Sequence, residues 1–266
     1  MNYIYKLYAY LFAREIFGNL NKLLYTLSLR GLGVMNYQNS YLTGENGWLK
    51  KFLKDKKSLV IIDVGANTGN YSDAIFKINQ DLTIYAFEPH PKTFKKLTDN
   101  LGLNKKIQAF NLGVGDLKGT IELYDYDTQD GSQHASLYRE VISDIHNGRP
   151  VSHSVNIVKL DDFLKSKNVV NIDLLKIDTE GNEYNVLLGI KSYLKAKKIK
   201  AIHFEFNEMN IVSKSSFKNF WDLLSDYNFY RILPGGGLLP IYNYSPIMTE
   251  IYAFQNIVAL LKDNTN

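Results

Sequence analysis

Apolar residues along this chain recur with two different spacings. Ile4, Leu7, Tyr8, Leu11 and Phe12, then Ile16, Leu20, Leu23, Leu24 and Leu27, follow one another at three and four residues, the period of a helix, with Gly18 placed to interrupt the pattern. A polar connector covers 31–47, and 48–57 reads as a short basic helix. Residues 59–62, 82–88, 107–112, 172–177 and 200–206 are short runs rich in β-branched and aromatic side chains, the composition of strands buried on both faces. Helical patterns over 71–78, 91–101 and 183–190 alternate with them, Pro91 standing near a first turn, and 217–224 adds another. Residues 120–124 and 154–160 have strand composition across a long polar loop and are expected to pair as a hairpin outside the main sheet. Asp161-Asp162 open a short helix, and late strands over 229–233 and 250–260 lie around a Gly235-Gly236-Gly237 loop. Alternating strand and helix units predict an α/β fold, a mainly parallel sheet with helices on both faces. The expected division is a helical segment and connector over 1–57 and one domain over 58–266.

Composition narrows the function classes. A chain of 266 residues is long enough for one large domain with an appendage. Cysteine is absent, which excludes disulfides, thiolate metal sites and a cysteine nucleophile, and suits a reducing cytoplasm. A net charge of +4, dispersed along the chain, does not mark a nucleic-acid binder. No window approaches the ~20 apolar residues of a membrane span, and Arg14-Glu15 splits the first apolar run in a way that argues against a signal peptide. The polar positions of the N-terminal helices carry Lys6, Arg14, Lys22 and Arg30 against Glu15. Two readings follow: helices packed on the domain, or a basic amphipathic segment resting on an anionic membrane surface, which would place the protein at the inner face of a membrane.

The chemistry concentrates where the first core strand ends. Asp63 precedes a turn in which Gly65 and Gly69 allow close approach of backbone to ligand, and a helix begins just after it. Asn67 holds the middle place, so the loop departs from the G-x-G-x-x-G pattern of dinucleotide sites. Glu88 follows Gly69 by about twenty residues, the spacing at which an acid accepts hydrogen bonds from ribose hydroxyls. An acid before the turn, with no arginine or lysine nearby in sequence, disfavours a diphosphate and therefore a NAD-binding oxidoreductase. It suits a ligand with positive charge, such as S-adenosylmethionine. Four predicted strands finish on or near an acid, Asp63, Glu88, Asp178 and Glu205, and in an open parallel sheet these ends should share one crevice.

The runs Asp63-Val64-Gly65-Ala66-Asn67-Thr68-Gly69 with Tyr71-Ser72, Phe87-Glu88-Pro89, Leu160-Asp161-Asp162 and Leu175-Lys176-Ile177-Asp178-Thr179-Glu180-Gly181-Asn182-Glu183 resemble the FkbM family of methyltransferases. Gly44-Glu45 and Asn256 are similar to that family too, and the likeness runs from about Gly44 to the last strands. The resemblance implies a class I methyltransferase sheet, Rossmann-like with an antiparallel last strand, and S-adenosylmethionine as methyl donor. It implies a cofactor site made by Asp63, Gly65, Ala66, Asn67, Gly69, Tyr71, Ser72, Glu88, Pro89, Asn111 and Asp178, with Glu88 on the ribose and Asn111 near the adenine. Similar proteins commonly methylate hydroxyls of sugars or natural products. The acceptor is therefore expected to be a sugar or glycoconjugate precursor, with another small molecule or a nitrogen acceptor as the alternative. A module that keeps the sheet without chemistry is disfavoured by the intact run from Asp178 to Glu183.

Methyl transfer to a hydroxyl benefits from a base within hydrogen-bond reach. Candidates are Asp178, Glu180, Glu205 and His203; the last two are two residues apart on one strand and share a face. A divalent ion such as Mg²⁺ on Asp178, Glu180 and Glu205 is the less favoured rival. Lys176, mid-strand, is expected to be buried and paired with an acid. His90, His134, His146 and His153 lack ligand spacing on a shared face and receive no role. The long polar loop over 125–153 is assigned to acceptor recognition, with Ser136 and, from the opposite side, Glu45 as acceptor contacts.

Overall fold

The chain was analysed as a computed structural model, which describes residues 2–102, 104–127 and 135–263. Its strands are β1 (Leu59–Val64), β2 (Leu82–Phe87), β3 (Ile107–Phe110), β4 (Gly113–Val114), β5 (Gly119–Tyr126), β6 (Pro150–Val158), β7 (Ile172–Ile177), β8 (Ile199–Phe206), β9 (Tyr227–Leu233), β10 (Gly237–Ile241) and β11 (Gln255–Leu261). Eight of them form one sheet in the order β10-β9-β11-β8-β7-β1-β2-β3, and β4-β6-β5 form a second, three-stranded sheet. From β3 to β8 all neighbours run parallel, while β11 is antiparallel to both β8 and β9. This is the class I methyltransferase arrangement. All six residues of β7 are buried, as an apolar strand between two helical layers must be.

Two apolar cores flank the sheet. On one face Phe204, Phe206, Phe217 and Phe220 pack with Val186 and Leu187 of the helix Glu183–Leu188. On the other, Ile61, Ile84, Leu174 and Val258 meet Trp48, Leu49 and Leu53 of the helix Glu45–Leu53 and Ile75 of the helix Asn70–Ile78. The core thus takes in residues that a division at 57 leaves outside the domain.

Strand register sets up the site. Phe110, Phe87, Val64, Ile177 and Phe204 lie side by side across β3, β2, β1, β7 and β8. One residue further along each strand direction come Asn111, Glu88, Gly65, Asp178 and Glu205, and Asn256 of β11 stands opposite Glu205. Three acids distant in sequence, Glu88, Asp178 and Glu205, are therefore delivered to one edge.

Several elements differ from the pattern-based expectation. The basic helix starts at Glu45 and stops at Leu53, because Gly44, with φ of 75°, takes the left-handed turn before it. The helix expected over 183–190 divides into Glu183–Leu188 and Lys191–Lys195. The last strand begins at Gln255 rather than 250. Glu250 instead accepts hydrogen bonds from the N–H groups of Phe217 and Lys218 at 2.8 and 2.9 Å, placing a carboxylate at the positive end of the helix Phe217–Leu223. The expected outside hairpin is β5 paired with β6.

The helices Asn2–Phe12 and Gly18–Gly31 leave most of their apolar side chains in solvent, with Tyr3 80% and Tyr25 63% exposed. Among the described residues no helix is long and apolar enough to cross a membrane.

Phe220 is fully buried and stacks on Phe204 with ring centroids 4.8 Å apart and planes 9° from parallel. Phe220→Ala should destabilise the fold by about 3–5 kcal/mol. Urea titration would show this as a lower midpoint with an unchanged slope.

Candidate active site

The loop after β1 alternates left-handed residues, Gly65 at φ 78°, Asn67 at 50° and Gly69 at 90°. Glycine is required at the first: a Cβ on Gly65 would lie 1.7 Å from the carbonyl oxygen of Asp178. Asparagine is among the few other residues that adopt this conformation readily. The N–H groups of Gly65 and Ala66 both donate to the Phe87 carbonyl, at 3.0 and 2.9 Å, tying the loop to the end of β2. The Asn67 N–H donates to Glu88 Oε2 at 3.0 Å, and the His90 N–H to Glu88 Oε1 at 2.8 Å. These bonds fix the Glu88 carboxylate and leave lone pairs for a ligand's hydroxyls. Burial pushes its pKa up to about 7, against the pull of the two backbone donors.

Asp63 faces the other side of β1, takes the Ser72 hydroxyl at 2.6 Å and is pushed by burial up to about 6. In register beside it is Lys176, 3% exposed, with Nζ 3.3 Å from Asp178 Oδ2. Burial pulls the Lys176 pKa down, but the carboxylates of Asp178, Glu45, Glu205 and Asp63 outweigh it and hold the ammonium charged. Next in register is His203, fully buried, with Nδ1 2.9 Å from the Tyr71 hydroxyl and Nε2 3.1 Å from Asn256 Oδ1. Burial and then the Lys176 charge push its pKa well below the usual histidine range, so the ring is neutral. It orients Tyr71 and lies 3.6 Å from Glu45 Oε1 rather than lining a cavity.

Three neighbouring cavities open at the strand ends. The first, about 670 Å³, is bounded by the Gly65 loop, Glu88, Pro89, Leu112 to Val114, Leu123, Leu137, Asp178 and Asn182. The second, about 850 Å³, runs over Ala66, Asn67 and Tyr71 to Glu45, Asp63 and Lys176. The third, about 1230 Å³ and open, is lined by Met35, Tyr37, His146, Asp178, Glu180, Glu205, Asn207 and Phe254. Asp178 belongs to all three. Glu205 is half-buried, and burial and then Asp178 push its pKa well above the usual carboxylate range, with Lys176 opposing. Glu183 holds the turn between them: its Oε1 takes the N–H groups of Thr179 and Gly181 at 2.9 and 3.1 Å.

Some expected contacts lie elsewhere. Ser136, expected to touch the acceptor, is fully buried, and its hydroxyl donates to the Glu180 carbonyl at 2.7 Å; it braces the left-handed Glu180 instead. Asn111 is exposed and donates to the carbonyls of Glu88 and Pro89, both at 2.9 Å, so it props the corner while Leu112 and Gly113 form the cavity wall. Ser72 supports Asp63 from beneath. Residues 128–134 of the long loop, His134 among them, lie outside the described residues. The carboxylates weighed as a magnesium site do not bring three ligand atoms within 4.8 Å of one another among the described residues. Tyr37, Asn207 and Phe254 of the open cleft, and the apolar cavity wall, carried no signal in the sequence because they read as ordinary packing residues.

Residues 63–230 match the model of the methyltransferase FkbM domain. The 2-O-methyltransferase NoeI of Sinorhizobium fredii is 26% identical over 198 residues, 69% of this chain and 78% of that protein. Methyltransferase 1 of Beauveria bassiana is 30% identical over 145 residues, 49% of this chain and 57% of that protein. The hexuronic acid methyltransferase AglP of Haloferax volcanii is 26% identical over 157 residues, 58% and 60% of the two chains. A glycine cradle at Gly65, a buried acid at Glu88 and an acidic edge suit a cofactor with a ribose and a cationic centre, and the match spans most of the domain. The chain belongs to the FkbM family and is an S-adenosylmethionine-dependent methyltransferase.

Proposed function

We propose that this chain methylates a hydroxyl of a sugar or glycoconjugate precursor, with Glu205 as general base. The observation that carries the reading is the open cleft beside Asp178, where Glu205 and Asn207 stand among hydrogen-bonding groups and the Tyr37 and Phe254 rings form a wall, edge to face at 5.9 Å. Carboxylates and amides match a hydroxyl-rich ligand, and aromatic rings match the C–H face of a sugar. One relative is named as a 2-O-methyltransferase and another as a hexuronic acid methyltransferase, in agreement with this chemistry. The first cavity is assigned to S-adenosylmethionine, with the backbone of Gly65 to Asn67 and Asp178 at the methionine part, Glu88 on the ribose diol, and Pro89, Leu112 and Gly113 around the adenine. The bound cofactor supplies a methyl group made electrophilic by a sulfonium. Glu205 would withdraw the hydroxyl proton as the oxygen–carbon bond forms and the methyl–sulfur bond breaks, the donor leaving as a neutral thioether; burial raises its pKa, which makes it a stronger base than an ordinary carboxylate. Lys176 holds Asp178 through their ion pair, fixing the wall that the two cavities share. Neutral His203 is a positioning residue that holds Tyr71.

The N-terminal helices support a second element of the reading. Asn2–Phe12 exposes Tyr3, Ile4, Tyr5, Leu7, Tyr8 and Tyr10 over most of its circumference, with Lys6 on the remaining strip, and so wide an apolar face is not satisfied by water. Lys6, Arg14 and Lys22 complement an anionic headgroup layer, and tyrosine suits its depth. Docked at the inner face of such a membrane, the open cleft would meet a lipid-linked glycan.

Three outcomes check this reading. Glu205→Gln should lower kcat by roughly 10²–10⁴-fold while calorimetry shows donor binding intact, in assays following labelled methyl groups into a panel of free and lipid-linked sugars; transfer only to amines would overturn the hydroxyl acceptor. Glu88 has a folded pKa of about 7, above its usual 4.5. Its ionisation therefore weakens the empty fold as pH rises from 4.5 through about 7, and a ribose diol bound to the carboxylate offsets that loss. The thermal shift produced by S-adenosylmethionine should grow between pH 6 and 8, and Glu88→Gln should flatten this dependence. The full chain should float with phosphatidylglycerol vesicles and not with neutral ones. Lys6→Glu or Lys22→Glu should each weaken binding by about fivefold or more, the value of one basic residue near the surface; equal binding to neutral vesicles would contradict the electrostatic part.

A further inference from the structure

His90, Asp125 and His153 lie outside the cleft and bring one ligand atom each to within 4.8 Å of the others. They come from three segments: the corner after β2, the inner face of β5, and β6. His90 and Asp125 are each only 1% exposed. His90 Nε2 makes no hydrogen bond among the described residues, and it faces Asp125 Oδ2 at 3.4 Å. Each of these two side chains is aimed by its other polar atom. The Thr93 N–H and hydroxyl lie 3.3 and 3.2 Å from His90 Nδ1, and the Tyr126 N–H donates to Asp125 Oδ1 at 2.7 Å. The His153 ring meets His90 edge to face at 4.6 Å.

We propose that His90, Asp125 and His153 bind a divalent transition-metal ion of the zinc class, which clasps the three-stranded sheet to the corner that carries Glu88. Tetrahedral zinc with bonds of about 2.0–2.1 Å spaces neighbouring ligand atoms about 3.4 Å apart, the separation found between His90 Nε2 and Asp125 Oδ2. His153 is the half-buried member, so any adjustment on binding falls on the side chain that packing holds least. Two imidazoles and one carboxylate, with no thiolate, favour zinc over softer ions, and an incoming water completes the shell. In the metal-free chain the Thr93 N–H donates to His90 Nδ1, so the proton of the neutral ring sits on Nε2; a metal on Nε2 would move it to Nδ1, where the Thr93 hydroxyl can accept it.

None of the three residues lines the cofactor cavity, so the ion takes no part in the chemistry. Its effect reaches the cavity through two neighbours. The His90 N–H fixes Glu88, and Leu123, opposite His153 in the β5–β6 register, is part of the cavity wall.

The test uses the full chain stripped with chelator. Titration with Zn²⁺ should show one tight equivalent, Co²⁺ should give the intense visible bands of a four-coordinate site, and zinc should raise the melting midpoint by several degrees. His153→Ala and Asp125→Asn should remove the tight equivalent and the bands. Should Asp125→Asn not fold, His153→Ala carries the comparison, its metal-free midpoint matching that of the metal-free wild type. Zinc uptake equal in wild type and His153→Ala, or a six-coordinate cobalt spectrum in the wild type, would overturn the proposal.

Discussion

A charged ammonium in the middle of a buried strand is the constraint around which this site is built. Lys176 belongs to a strand with no exposed residue, and an unpaired cation there would cost several kcal/mol. Its charge is kept by the carboxylates of Asp178, Glu45, Glu205 and Asp63, which come from four separate parts of the chain. The requirement runs both ways. The acids crowd closely enough to raise one another's pKa, and the lysine is the buried cation that opposes them. With four carboxylates around one ammonium, the strand ends keep an excess of acceptors and negative charge. That excess suits a cationic methyl donor and a hydroxyl acceptor far better than a diphosphate.

The same face of the sheet shows how a polar row is tolerated inside a fold. Asp63, Lys176 and His203 are adjacent in register, and each has a polar partner: Ser72, Asp178 and Tyr71. Their neighbours one residue back, Ile62, Leu175 and Ile202, belong to the opposite apolar core. The pleat therefore separates an aromatic core on one face from a second face, where a smaller apolar core gives way to this polar row. Only at the last residues of the strands do the two meet, and there the cavities open.

Much of this was legible from period and punctuation. β1, β2 and β7 declare themselves as apolar runs, and the glycines at 65 and 69 mark a turn that needs left-handed residues. The acids at strand ends were readable because an acid closing an apolar strand has few structural reasons to be there. What escaped detection depended on contacts distant in sequence. Ser136 looks like any loop serine until the Glu180 carbonyl is seen above it, and Glu250 looks like the start of a strand until it reaches the N–H groups of another helix. The histidines at 90 and 153 are sixty-three positions apart and share no local pattern. Only the packing of the small sheet against the β2 corner brings them together.

The base assignment follows from how burial treats the alternatives. His203 is buried and neutral, but both of its nitrogens are engaged, by Tyr71 and Asn256, so taking a proton would break one bond and bury a charge beside Lys176. Asp178 is engaged by Lys176. Glu205 differs from both. It is half-buried, borders the open cleft, and among the described residues its hydrogen-bond contact is a long one, 3.4 Å from the Asn207 amide. Accepting a proton there discharges a group that burial and Asp178 already disfavour as an anion, so the same forces that raise its pKa drive the step it is asked to perform.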